Sequence, residues 1–223
     1  MTQRPALVLA SNSPRRRQLL ALGDWSFRVS APNLDERPYE GESPSAYVQR
    51  LAQAKAGTAS ANAMPDEVVV AADTTVVDAG RIIGKPADAG EAAAILRKLR
   101  GHSHQVYTAI AAVRVADGRT VSDLCVTDVP MREYTEAEIQ AYVAGGDPLD
   151  KAGAYSIQDA RFHPVDGLRG CFASVMGLPL CHLVRVMREF DGSARVEIPS
   201  RCQAALRYDC PVSDSILRGE QVG

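Results

Sequence analysis

The chain has 223 residues and 46% hydrophobic content, with 25 Lys and Arg set against 27 Asp and Glu for a formal net charge of −2. That composition supplies a substantial core and excludes general disorder, while the near-zero charge argues against a broad basic surface for nucleic acid or an anionic membrane. The apolar stretches Ala6 to Ala10 and Val68 to Ala72 are too short for a secretory h-region or for the ~20 residues of a membrane-crossing helix, so a cytoplasmic protein is expected.

Leu7-Val8-Leu9-Ala10 reads as a strand, followed by a turn at Ser11-Asn12 and a helix with Ser13 at the N-cap and Pro14 at N1. Leu19 and Leu20 face inward, and Gly23 ends the helix. The same Ser-Pro device at Ser43-Pro44 opens a second helix that runs through Tyr47, Val48, Leu51 and Ala54 to about Ala59. Val68 to Ala72 shows no alternation, as a strand buried on both faces would, and Asp73 is expected to end it. A turn at Asp78-Ala79-Gly80 returns the chain through Ile82 and Ile83. Asp88 and Glu91 have capping-box spacing before a helix bearing Ile95, Leu96 and Leu99.

Gln105 to Arg132 reads as two strands joined at Asp117-Gly118, a hairpin signal. Thr135 and Glu138 form another capping box, ahead of a helix through Ile139 and Val143 that Gly145-Gly146 would stop. A last helix begins near Pro179 and carries Leu180, Leu183, Val184 and Met187. Strands that alternate with helices early and pair as hairpins in the middle predict an α/β protein with a mixed sheet. No linker or repeat divides residues 1–190, which are read as one domain. Beyond Phe190 the periodicity fades, with Gly192, Ser193, Pro199, Pro211 and Ser213 interrupting it, so residues 191–223 are expected to be a loosely attached C-terminal extension.

Arg15-Arg16-Arg17 falls in the first turn of a helix, where the partial positive charge of the helix end opposes cations. The triplet is either a phosphate site, in which an anion reverses that penalty, or an exposed basic turn. Asp73, at the expected end of a buried strand, either serves a ligand crevice as base or metal ligand, or caps its own turn. Asp35-Glu36 could bind Mg²⁺ or simply be solvated, and Lys55 on the inward stripe of its helix either snorkels or meets an anion. Lys85 sits in the rigid turn Gly84-Lys85-Pro86. Asp147 to Tyr155 is a charged turn followed by small residues, suited to a ligand wall, and Gln158 after it could present an amide to a base edge.

Several signatures are missing: GxxxxGK[ST], GxGxxG, HExxH and GxSxG are all absent. His102 and His104 lack the partners for a zinc site and are read as surface residues. Tyr107, Tyr134 and Tyr142 are read as core or rim residues. The five cysteines are odd in number, scattered and without a CxxC pair, which fits reduced thiols.

Taken together, the blocks Ala10 to Arg16, Asp35-Glu36, Ala72-Asp73-Thr74, Gly84-Lys85-Pro86, Thr127-Asp128-Val129, Asp147 to Tyr155 and Gly177-Leu178-Pro179 resemble the Maf family of nucleoside triphosphate pyrophosphatases, from about Leu7 to Phe190. The resemblance implies an elongated α/β fold with a central cleft like that of inosine triphosphate pyrophosphatases. It also implies a homodimer and dependence on a divalent metal, Mg²⁺ or alternatively Mn²⁺. By position, Asp73 matches the proton acceptor, and Arg16, Glu36, Lys55 and Lys85 match the polar pocket around it; Asp73 acts either directly as base or through a metal-bound water, with Glu36 and Asp73 then the metal ligands. Arg15, Thr74 and Gln158 match positions linked to base selectivity, and Ser11 and Ser13 of the first block are taken as substrate-binding.

The pairs Arg15-Arg16 and Asp73-Thr74 and the run Ala152-Gly153-Ala154-Tyr155-Ser156-Ile157-Gln158 are similar to the branch that acts on dTTP and UTP, whereas the 7-methyl-GTP branch has Trp and Gln at the places of Arg15 and Thr74. The sequence departs from that branch after Gln158, with Asp159 for the usual Gly and a longer segment to Asp166. The alternatives implied are a pyrophosphatase for 7-methyl-GTP or another modified nucleotide, and a nucleotide-sensing cell-division regulator without turnover.

Overall fold

A computed structural model of the protein describes residues 5–191 and 197–223. β1 (Ala6–Leu9) pairs in parallel with β2 (Phe27–Val29) on one side and β3 (Glu67–Asp78) on the other. β4 (Arg81–Ile83) and β5 (Ser103–Arg114) run antiparallel to β3, and β6 (Arg119–Pro130) runs antiparallel to β5. The sheet order is β2-β1-β3-β5-β6, with β4 also on β3, so the sheet is mixed and the expected α/β class is found. Helices α1 (Pro14–Ala21), α2 (Pro44–Ser60), α3 (Ala89–Leu99), α4 (Glu136–Ala144), α5 (Phe172–Val175), α6 (Leu180–Asp191), α7 (Ile198–Leu206) and α8 (Ser213–Leu217) flank it.

The helix starts follow the side chains that satisfy their free amides. Ser13 and Ser43 accept from the amides of Arg16 and Ala46, each with Pro in the first turn. Thr135 and Glu138 form the full reciprocal capping box. Asp88 accepts from Glu91 N, but Glu91 reaches back to Ala87 N instead of to the cap residue, so only half of that box forms as expected.

Asp73 does not end its strand, because β3 continues to Asp78 and β5 pairs with it from Val68 to Val77. The Thr-Thr-Val-Val run after Asp73 is itself strand-forming, and a single acid does not outweigh a full antiparallel partner. The other edge of β3 is different. β1 leaves it after Ala10, whose amide donates to Val70 O at 2.8 Å, and β4 joins only at Val76. Among the described residues, Ala71 to Thr75 therefore have no strand partner on that edge, and a cleft opens there.

Alternation along the strand then sends successive side chains to opposite faces. Val69 and Ala71 pack on the α2 face with Ala52, Ala56, Ala59, Ala109 and Ala111, and these small residues let α2 approach closely. Val70, Ala72 and Val76 pack on the other face, in the larger core with Leu96, Ile110 and Leu183. β2 was not legible in the sequence, since it is a short, half-exposed edge strand.

The extension departs from expectation as well. Gly192 and Ser193 lie outside the described residues, but α7 and α8 pack on α6, burying Ile198, Pro199 and Ile216. It is not loosely attached. No helix among the described residues is long and apolar enough to cross a membrane.

Candidate active site

A cavity of about 440 Å³ opens at the free edge of β3. Its lining includes all ten residues that the family resemblance matched to the site: Ser11, Ser13, Arg15, Arg16, Glu36, Lys55, Asp73, Thr74, Lys85 and Gln158. They come from the β1–α1 turn, the first turn of α1, the loop before α2, α2, β3, the turn after β4 and the segment after Tyr155.

On the α2 face the charges are paired. Lys55 Nζ lies 2.6 Å from Asp73 Oδ1 and 2.7 Å from Glu36 Oε1. Asp73 is 6% exposed and Lys55 8%, whereas the Glu36 side chain is 52% exposed. Lys55 meets the protein's own carboxylates and does not snorkel. Burial pushes the Asp73 carboxyl above the usual carboxylate range, against the opposing pull of Lys55 and Arg16. Glu36 is positioned by its loop: Tyr47 Oη donates to Glu36 O at 2.9 Å, and Arg50 ties the same loop to α2 through Glu42 and Arg37 O. Asp35 is directed away, ion-paired with Arg37 in solvent, and does not line the cavity.

On the opposite face the cation is held by neutral groups. Arg16 donates through Nε to Gly177 O at 2.9 Å, through Nη1 to Ser11 Oγ at 3.3 Å and through Nη2 to Thr74 Oγ1 at 3.2 Å. Burial lowers the Arg16 pKa below its ordinary value. Thr108 Oγ1, fully buried on β5, lies 2.9 Å from Ser174 O and 3.1 Å from Thr74 Oγ1. A carbonyl can only accept, so when the Thr108 proton goes to Ser174, Thr74 donates its own proton to Thr108 and remains an acceptor for Arg16. Among the described residues, neither Arg15, Arg16 nor Lys85 forms an ion pair with a carboxylate.

Lys85 is placed by a close backbone contact. Gly153 N donates to Gly84 O at 3.1 Å, and Gly153, at φ +73°, lies so near Val76 that a Cβ would meet its Cγ2 at 2.8 Å. A side chain there would push the turn away from the strand. Lys151 of the same block is buried against Asp147 and Asp150 and also lines the cavity, a cation the sequence reading left without a role. Thr108 and Ser174 were missed altogether, since isolated hydroxyl residues carry no local signal. Gly177 was visible only as part of the Gly-Leu-Pro block.

Gln158 is exposed at the cavity rim. The departure that follows it is a self-contained turn in which Asp159 Oδ1 accepts from the amides of Arg161 and Phe162. Phe162 then stacks on Tyr142 with ring centroids 4.3 Å apart, so the extra residues anchor the segment in the core. Tyr134 and Tyr142 are buried, as expected for core residues. The surface reading of the histidines fails for His104. It is 2% exposed and its Nε2 lies 2.9 Å from the hydroxyl of the cavity-lining Tyr155. His102 is at the surface, on Asp78.

The family model described as Maf-like protein matches residues 6–190. The chain belongs to the Maf family. Among curated relatives, the dTTP/UTP pyrophosphatase of Photorhabdus laumondii is 45% identical over 82% of this chain and 93% of its own length. The dTTP/UTP pyrophosphatase of Myxococcus xanthus is 47% identical over 81% of this chain and 90% of its own, and that of Hahella chejuensis is 44% identical over 84% and 93%. A solved structure titled as the Staphylococcus aureus Ham1 protein covers 57% of this chain and 72% of its own, at 16% identity and a TM-score of 0.40. The Maf match ends at 190, so α7 and α8 lie outside it.

Proposed function

We propose that this Maf protein hydrolyses dTTP and UTP between the α- and β-phosphates, giving the nucleoside monophosphate and pyrophosphate. The observation that carries the reading is the sorting of charge in one cavity. Arg15, Arg16 and Lys85 have no carboxylate partner among the described residues, while the buried Asp73 is paired with Lys55. Unpaired cations on a cavity wall offer a triphosphate the neutralisation that an attacking water requires. The names of the relatives point to the same substrates.

In this reading the phosphates lie against Arg15, Arg16 and Lys85, which draw charge from the oxygens and from the departing pyrophosphate. Asp73 accepts the proton of the attacking water. Burial makes it a stronger base than an ordinary aspartate, and Lys55 keeps it ionised and oriented. Thr74 and Gln158, both on the cavity wall, read the hydrogen-bonding edge of the pyrimidine. Glu36 and Asp73 converge on the ammonium of Lys55, so positive charge is accommodated between them, and two carboxylates beside substrate phosphates suit Mg²⁺. When bound, the ion supplies further neutralisation of the phosphate oxygens. A homodimer in the cytoplasm belongs to the same reading and rests on the family resemblance.

The test is pyrophosphate release from a panel of dTTP, UTP, CTP and 7-methyl-GTP with the full chain and Mg²⁺. Fastest release from dTTP and UTP is expected. Preference for 7-methyl-GTP would assign the protein to the other branch, and no release from any of them would overturn the enzymatic reading.

A further inference from the structure

The cavity has two kinds of wall. Asp73, Thr74 and Thr108 sit on β3 and β5, whose mutual ladder fixes them along its length. Val175, Met176 and Gly177 belong instead to a stretch between β6 and α6 that contains little regular structure besides α4 and the short α5. Yet two carbonyls of that stretch hold the site, Gly177 O on Arg16 and Ser174 O on Thr108. A wall with few ladder bonds needs support from outside to keep such groups in place.

Besides the packing of α5 on β5 and β6, part of that support comes from the segment beyond the Maf match. The Tyr208 hydroxyl lies 3.1 Å from Leu168 O and 2.9 Å from Gly170 O, where it donates to the backbone just before α5, and its ring centroid is 5.5 Å from that of Phe172. Tyr208 is itself held by α7. Its amide donates to Gln203 O at 3.1 Å, and the amide of Cys210 donates to Gln203 Oε1 at 3.0 Å. Arg207 takes the left-handed conformation that closes the helix, at φ 50°. On the far side, Arg185 donates to Ile216 O at 3.3 Å and Glu220 O at 2.9 Å, and Arg188 donates to Leu217 O at 3.0 Å, which fastens α8 to α6. No residue of 197–223 lines the cavity, so any effect on it must pass through the wall.

We propose that residues 197–223 are a brace for the active-site wall, and that Tyr208 is a positioning residue that fixes the Gly177 carbonyl and through it the Arg16 guanidinium. The proposal rests on the pyrophosphatase reading of the cavity. Because Arg16 grips substrate phosphate in that reading, loosening the brace weakens binding more than it slows the bound reaction.

The experiment measures KM and kcat for dTTP in the full chain, in Tyr208→Phe, in Arg16→Lys and in the double variant. Tyr208→Phe is expected to raise KM about five-fold, the worth of one hydrogen bond, with kcat nearly unchanged. In the Arg16→Lys background, which lacks the Nε donor to Gly177, the same substitution is expected to cost nothing further. An unchanged KM, or an equal loss in both backgrounds, would overturn the brace. Gln203→Met, which frees the Tyr208 turn but keeps the ring, should reproduce the KM effect if Tyr208→Phe folds poorly, and an unchanged KM there would count equally against it. Failure of the unaltered chain to release pyrophosphate from any triphosphate would instead overturn the underlying reading.

Discussion

On the α2 face of β3 every charge in the cavity has a partner within hydrogen-bond distance, with Asp73 and Glu36 sharing the ammonium of Lys55. On the other face, one residue further along the strand, Thr74 meets a guanidinium held only by hydroxyls and a carbonyl. A buried carboxylate needs a partner to remain ionised, and Lys55 supplies it. A cation meant for a ligand needs the reverse, since an internal carboxylate would compete with the phosphate. Strand alternation places the two arrangements back to back within two residues, so a base and an anion site share one cavity without forming an ion pair with each other.

The largest effect is expected of Asp73→Asn. Loss of the proton acceptor is expected to lower kcat by about 10²–10⁴-fold while the circular dichroism spectrum of the fold stays the same. An unchanged kcat would move the base elsewhere. Lys55→Met acts through pH. Activity requires ionised Asp73 and is lost as pH falls through its pKa, which burial already raises; removing the ammonium raises it further. The acid limb of kcat/KM should therefore move to higher pH, and a limb that stays or moves lower contradicts the pairing.

The smallest effect concerns stability on the Arg16 face. Burial pushes His104 down to about 4 from its ordinary value near 6.5, so it is neutral in the folded protein over a range where the unfolded chain binds a proton. Its contribution is present above the unfolded pKa and is lost as pH falls toward about 4. Melting temperature should decline across that window in the natural protein and decline less in His104→Gln. Equal slopes would remove His104 from the account.

Much of this was legible in the sequence because it was local. Ser-Pro pairs marked α1 and α2, Asp117-Gly118 marked the β5–β6 hairpin, and the charged residues that gather in the cavity stood out by type and spacing. What escaped depends on contacts between distant segments. Asp73 reads as a strand end in the sequence because the pairing that carries β3 onward is supplied by β5, more than thirty residues later. His104 reads as a surface residue because β5 alternation and the Tyr155 hydroxyl beside it are invisible one segment at a time. The extension has weak periodicity since its helices are short, and their stability comes from packing on α6 and from Arg185 and Arg188 rather than from propensity.

Arg16 feels the charge of Asp73 but is kept out of ion-pair contact with any carboxylate among the described residues, for the sake of a ligand. The most direct test is the melting temperature of Arg16→Met without nucleotide, measured alongside its kcat/KM for dTTP. Removing a desolvated guanidinium that has no ion-pair partner should leave the melting temperature unchanged or higher, while kcat/KM falls about 10²-fold or more. A protein that melts markedly lower yet turns over dTTP at nearly the natural rate would show that Arg16 serves the fold and would contradict the account.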